Sequence, residues 1–168
     1  MRTTSSTLRI ALAVACVGTP WSLAGAQTPA LDACSVLTRD EIKTLTGRDP
    51  GEIDLGESLG STTCRWPESS PSTRVALYPK VDPNEPKGLA LKQLKDRGFD
   101  ARAMDGLGDD AVFLPAEGER PLGTLFVRVG RWRVVISQAP EPKGTAESTL
   151  PVLTTLAKAA IPKLRKAG

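Results

Sequence analysis

The chain has 168 residues, with 22 Lys plus Arg against 19 Asp plus Glu, three Cys and no His. A composition of 40% apolar and 24% charged residues suits a globular protein and argues against wholesale disorder. Lack of His removes every catalytic or zinc site that needs an imidazole. A net charge of +3 is too small and too dispersed to mark nucleic-acid binding.

Residues 1–26 read as a secretory leader. Arg2 and Arg9 give a positive start, residues 10–17 an apolar stretch, and Ala24-Gly25-Ala26 a small-x-small cleavage site before Gln27. Gly18, Pro20 and Trp21 interrupt the run, which is then too short for a membrane anchor, and no transmembrane segment is expected in the mature chain. A rival fate is lipid anchoring at Cys16, since residues 12–16 loosely match a lipobox. Only six apolar residues separate Arg9 from Cys16, and the residues after it stay apolar, so cleavage after Ala26 is favoured. Removing Arg2 and Arg9 leaves 20 of the 22 basic residues against 19 acidic ones, a nearly neutral exported protein. Its expected location is periplasmic or extracellular. Cys34 and Cys64 remain, and an even cysteine count in an oxidising compartment implies that they form a disulfide.

After a short lead at 27–32, the first helix is expected at 38–46. Thr38 and Glu41 have capping-box spacing, Leu37 and Ile42 can form a hydrophobic staple, and Gly47 suits a left-handed end. Strands follow at 62–66 and 73–78, after a loop marked by Gly56, Gly60 and Ser61; the second carries Val75 and Leu77 in alternation with Arg74, Ala76 and Tyr78. A second helix is announced by Asp82 and Glu85 at capping-box spacing, with Pro83 in its first turn. It presents Leu91 and Leu94 on one face, and Gly98 ends it with Phe99 placed against Leu94.

Residues 111–114 form a short strand, and 124–129 with 132–138 a hairpin around Gly130-Arg131. That turn pairs Val129 with Trp132, Val127 with Val134 and Leu125 with Ile136 on one face, and sets Arg128 opposite Arg133 on the other. The last helix spans 145–164, regular from about Thr149. Leu153, Leu156, Ala157, Ala160 and Leu164 form its stripe, and Pro162 is expected to kink or end it. The fold class is α+β, a single domain over residues 33–166 in the order α-β-β-α-β-β-β-α. An antiparallel sheet with helices packed on one face is expected, with one disulfide.

Four stretches together carry a resemblance: Ala33-Cys34-Ser35-Val36-Leu37-Thr38 with Glu41, Cys64-Arg65-Trp66, Gly106-Leu107-Gly108-Asp109, and the hairpin from Phe126 to Ile136. The chain resembles a family of small exported bacterial proteins of unknown function, common as actinobacterial lipoproteins and similar to some extracellular kinase sensor domains. The resemblance implies an envelope location and disulfide-bonded cysteines at the matching positions. It implies no catalytic set.

Two constellations are candidates for function. Gly106, Gly108, Asp109 and Asp110, with Asp105 beside them, form the one glycine-rich loop with adjoining carboxylates. It is read as a tight turn that Asp109 caps through its own backbone, or else as a ligand loop. Arg128, Arg131 and Arg133, with Arg102 or Arg120, form a candidate anion or partner patch, or else a solvated face. Trp66 is expected to pack against the disulfide. No cofactor, metal site or catalytic residue is assigned. The expected function is a non-catalytic binding or sensor-like module, its partner an envelope protein or a small anionic ligand. The alternative is a carboxylate-dependent enzyme.

Overall fold

The computed structural model describes residues 31–58, 61–66, 72–79, 81–82, 84–140, 144–145 and 147–168. The leader, Cys16, Gly60 and Pro83 lie outside them. The elements are α1 (Ala33–Val36), α2 (Arg39–Thr46), β1 (Asp54–Ser58), β2 (Ser61–Trp66), β3 (Thr73–Tyr78), α3 (Leu89–Asp96), β4 (Arg102–Ala103), β5 (Asp110–Leu114), β6 (Gly123–Val129), β7 (Trp132–Gln138) and α4 (Leu150–Ala167). This is the expected α+β class, with a seven-stranded sheet in the order β1-β2-β3-β7-β6-β5-β4 and every pairing antiparallel. Among the described residues, no helix is long and apolar enough to cross a membrane.

Local chemistry builds α2 as expected. The Thr38 hydroxyl accepts from the Glu41 N–H, the Glu41 carboxylate accepts from the Thr38 N–H at 2.9 Å, and Gly47 ends the helix at φ +72°. Its neighbour α1 is an addition to the expected order. Asp32 and Ser35 cap one another there, at a spacing that also fits an ordinary turn. The Cys34–Cys64 disulfide is formed, with Cα atoms 5.2 Å apart, and ties α1 to β2. Trp66, two residues further along β2, is wholly buried in the same core as Cys64.

The hairpin register is as expected, residue for residue, with Val129 opposite Trp132 and Arg128 opposite Arg133. The inward face of the sheet sets Val75, Leu77, Val127, Val134, Ile136 and Phe113 against α1, α2 and α4. All five stripe residues of α4 are buried there, joined by Ile161. Pro162 does not end α4, which continues to Ala167. Pro162 and Lys158, whose carbonyl loses its amide partner, both lie on the exposed side, where water can satisfy that oxygen.

Helix α3 departs from the expectation that the helices share one face. Its half-buried Ala90, Leu91 and Leu94, with Phe99, pack against Val112, Leu114 and Phe126. Those residues alternate with Ala111, Phe113, Leu125 and Val127, so α3 covers the opposite side of β5 and β6. Its end is as expected: Phe99 N–H donates to the Leu94 carbonyl and Gly98 N–H to the Lys95 carbonyl, with Gly98 at φ +80°. Its start is not. Asp82 and Glu85 form a turn in which Asp82 accepts from the Asn84 N–H, and the helix begins only after Gly88.

The disulfide closes a loop across residues 30 apart in sequence, between a helix and a wholly buried strand position. Replacing Cys34 and Cys64 together with Ala is expected to cost about 3.5 kcal/mol by the loop-entropy relation. Urea unfolding of the two forms checks this; a loss below about 1 kcal/mol would contradict it.

Candidate functional site

The acidic glycine loop is a set of brackets between elements. Asp109 does not cap its own turn: its N–H donates to the Arg128 carbonyl at 2.8 Å, and its Oδ2 accepts from the Gly130 N–H at 2.6 Å. One residue thus grips both the end of β6 and the hairpin turn, where Gly130 has φ +55°. Asp110 Oδ2 accepts from the Gly88 N–H at 2.9 Å, so a carboxylate on β5 caps the start of α3. This supplies the cap that Asp82 and Glu85 do not. Leu107, between the glycines, is buried in the main core. Gly108 has φ +62°, and a Cβ there would stand 2.3 Å from the Arg128 carbonyl oxygen and 2.8 Å from Val127 Cγ1. Asp105 has no place in these brackets. Among the described residues no group of His, Cys, Asp or Glu is arranged to hold a metal ion.

The arginine patch is dispersed by its partners. Arg128 and Arg133 are cross-strand neighbours, but Arg133 pairs with Glu85, and Asp110 lies opposite Arg128 on β5. Glu85 thus offsets the charge of Arg133, while the Arg128 Nε is buried without a hydrogen-bond partner. Arg131 sits in the turn with its guanidinium over the Trp132 ring, 5.1 Å from the centroid. Arg102 pairs with Asp100 and Glu147, and its pKa is raised chiefly by the hydrogen bond to Asp100. Arg120 pairs with Glu117 and stacks on Phe99.

A different place has room for a ligand, and no motif pointed to it. A cavity of about 90 Å³ lies between the end of α2, the end of β7 and the start of α4, lined by Thr46, Arg48, Gln138, Ala139, Ser148, Thr149 and Val152. Gln138 and Thr149 are 5% and 2% exposed. Thr149 sits at the N-terminal end of α4 without capping it through its side chain, and its hydroxyl has no hydrogen-bond partner. It rests on Gly123, where an added Cβ would stand 2.1 Å from Thr149 Oγ1. Beside Arg48 in sequence, Asp49 accepts from the Gly51 N–H and from Arg39 and Lys43, which hold its carboxyl far below the usual range. That carboxylate is committed to α2.

A second depression, wider and shallow, of about 280 Å³, runs between α2 and α4 past Asp40, Glu41, Thr44, Leu45 and Ala159. Its one interacting acid is occupied. Burial would raise the Glu41 pKa, but the Lys163 ammonium at 2.6 Å and the Thr38 groups outweigh this and leave it below the ordinary Glu value.

Compared with protein-family models, curated proteins and solved structures, the chain matches none. The comparisons neither support nor oppose the resemblance drawn from the motifs.

The two loop glycines allow a direct check. Gly106 has φ +74° with open space around its Cβ position, so Gly106→Ala is expected to cost about 1 kcal/mol for conformation alone. Gly108→Ala adds a steric collision with backbone and is expected to cost about 3 kcal/mol or more. Equal losses in thermal unfolding would show that the loop does not bracket the hairpin.

Proposed function

We propose that the chain is an exported, non-catalytic binding module of the bacterial envelope, in keeping with the exported family it resembles. The observation that carries this reading is the fate of the two adjacent carboxylates. Asp109 and Asp110 each end on a backbone N–H of another element, where they hold the fold together. A general acid or base needs a carboxyl free to reach substrate, and these are spent on structure. The formed disulfide is compatible with an oxidising compartment. The leader reading supplies the route, and the polar cavity beside α4 is the place with space for a ligand.

Two measurements test the proposal. Intact mass of the protein recovered from a bacterial host is expected to show a chain that begins at Gln27; a retained leader or a lipid on Cys16 would contradict simple export. Incubation with a panel of small carboxylates, oxyanions, amino acids and sugars is expected to give a saturable rise in melting temperature with at least one compound, recovered unchanged. Turnover of a panel compound that Asp110→Asn abolishes, in protein that still folds, would establish the carboxylate-dependent enzyme instead.

A further inference from the structure

We infer that the free edge of β1 takes an extended, basic segment of a partner protein as a further strand of the sheet. The inference rests on the binding-module reading and names the chemistry of a protein partner. Among the described residues the sheet has two edges, β1 and β4, and they differ. At β4 the edge is two residues long, and its Arg102 is tied to Asp100 and Glu147. A short, charged edge of that kind discourages pairing. At β1 the edge is five residues long and pairs with β2 residue for residue from Asp54 to Ser58, without a bulge or a proline. Its other side presents backbone N–H and C=O groups in strand geometry with no neighbouring strand among the described residues. Ile53 and Leu55, 48% and 61% exposed, are the most exposed large apolar side chains among the described residues. Backbone groups without a strand and apolar side chains without cover thus coincide on one segment, the arrangement that strand addition uses.

Charge decides which strand fits. Glu52, Asp54 and Glu57 line this segment, and residues 50–58 contain no Lys or Arg. Asp54 has Arg65 of β2 at 3.5 Å, whereas Glu52 and Glu57 are exposed and pair with no cation among the described residues. A second copy of this chain, paired through β1, would set these acids against themselves, and about Gly56 it would set Leu55 against Glu57. A partner strand with Lys or Arg meets opposite charge instead. The register fixes its pattern. Leu55 and Glu57 stand opposite Cys64 and Thr62, and Cys64 faces the core, so both lie on the helix side of the sheet. Asp54 lies on the other side with Arg65. The fitting strand, run antiparallel, carries a basic residue opposite Glu57, an apolar one opposite Leu55 and a basic one opposite Asp54.

The test is a titration of the mature protein with a designed peptide, acetyl-Lys-Ser-Val-Lys-Val-Lys-amide, whose side chains follow that pattern from Glu57 back to Glu52. Its acidic counterpart, with Glu for each Lys, is the control. The expected result is a saturable amide NMR shift centred on residues 54–58 with the Lys peptide and none with the Glu peptide. Two N-methylated forms of the Lys peptide, blocked at odd or at even positions, separate strand pairing from charge attraction. Only one set of N–H groups can face β1, so one form should lose binding and the other keep it. Glu52→Lys with Glu57→Lys should weaken the Lys peptide at least tenfold and bring the Glu peptide onto the same amides. Glu119→Lys, on the exposed loop between β5 and β6, should change neither. Equal response to the two peptides, shifts centred elsewhere, the same behaviour of both N-methylated forms, or unchanged binding in the charge-reversed protein would overturn the inference. Should that variant fail to fold, the four peptides on the unaltered protein decide alone. A dimer in solution whose β1 amides become protected from exchange would make a second copy the occupant and overturn the assignment to a partner. Silence of β1 toward the Lys peptide, beside a saturable response to the small-compound panel, would overturn this inference and leave the binding-module reading standing. Silence toward both would bring that reading down as well.

Discussion

Two antiparallel meanders, β1-β2-β3 and β4-β5-β6-β7, become one sheet only because β3 pairs with β7. The two strands are far apart in sequence, so their pairing carries a loop-closure cost that local contacts cannot supply. Burial supplies the compensation. Val75 faces Ile136 and Leu77 faces Val134, and all four lie wholly or almost wholly out of water under the helices. Without this seam the N-terminal half would be a three-stranded ribbon tied to α1 by a disulfide, and α4 would have half a sheet to cover. The disulfide acts one strand away, on β2, and so reinforces the seam from the side.

The two ends of the seam differ in chemistry. At one end Tyr78 meets Arg133, the hairpin turns at Gly130, and the acidic loop closes over it with Asp109 on the turn and Asp110 on α3. Arg133 pairs with Glu85 there and the two aspartates accept backbone N–H groups, which makes this end a lock, and Arg128 Nε is buried within it without a hydrogen-bond partner. At the other end Thr73 meets Gln138, and α4 starts above Gly123 with Thr149 pressed onto the strand. Polar side chains there are buried with capacity to spare. The loop with the more conspicuous sequence is consequently structural, and the quieter end holds the cavity.

How much of this was legible follows from where each signal resides. The β6–β7 register was readable because a two-residue turn and a period-2 apolar pattern gave the same answer independently. The cap of α2 was readable because its partners are three residues apart. Strand β1 was not: as an edge strand with Leu55 61% exposed and a glycine at its centre, it has no buried face to impose alternation. The start of α3 was misplaced because its capping carboxylate, Asp110, lies on β5, while the local Asp82 and Glu85 serve a turn and an ion pair. Pro162 is no stop signal here because helix tolerance depends on which side of α4 faces water. The cavity was invisible for the same reason as the Asp110 cap, since Arg48, Gln138 and Thr149 converge only through tertiary packing.

The account's central claim is that the seam makes one cooperative unit of the two meanders, with the lock and the cavity at its ends. Native-state amide hydrogen exchange, with the disulfide intact, addresses it most directly. Slowly exchanging amides of β3 and β7 should share one opening free energy, the highest in the chain, and should respond together to added denaturant. Exchange of the β3 amides through a cheaper opening that leaves β6 and β7 protected would show two separately stable meanders and contradict the account.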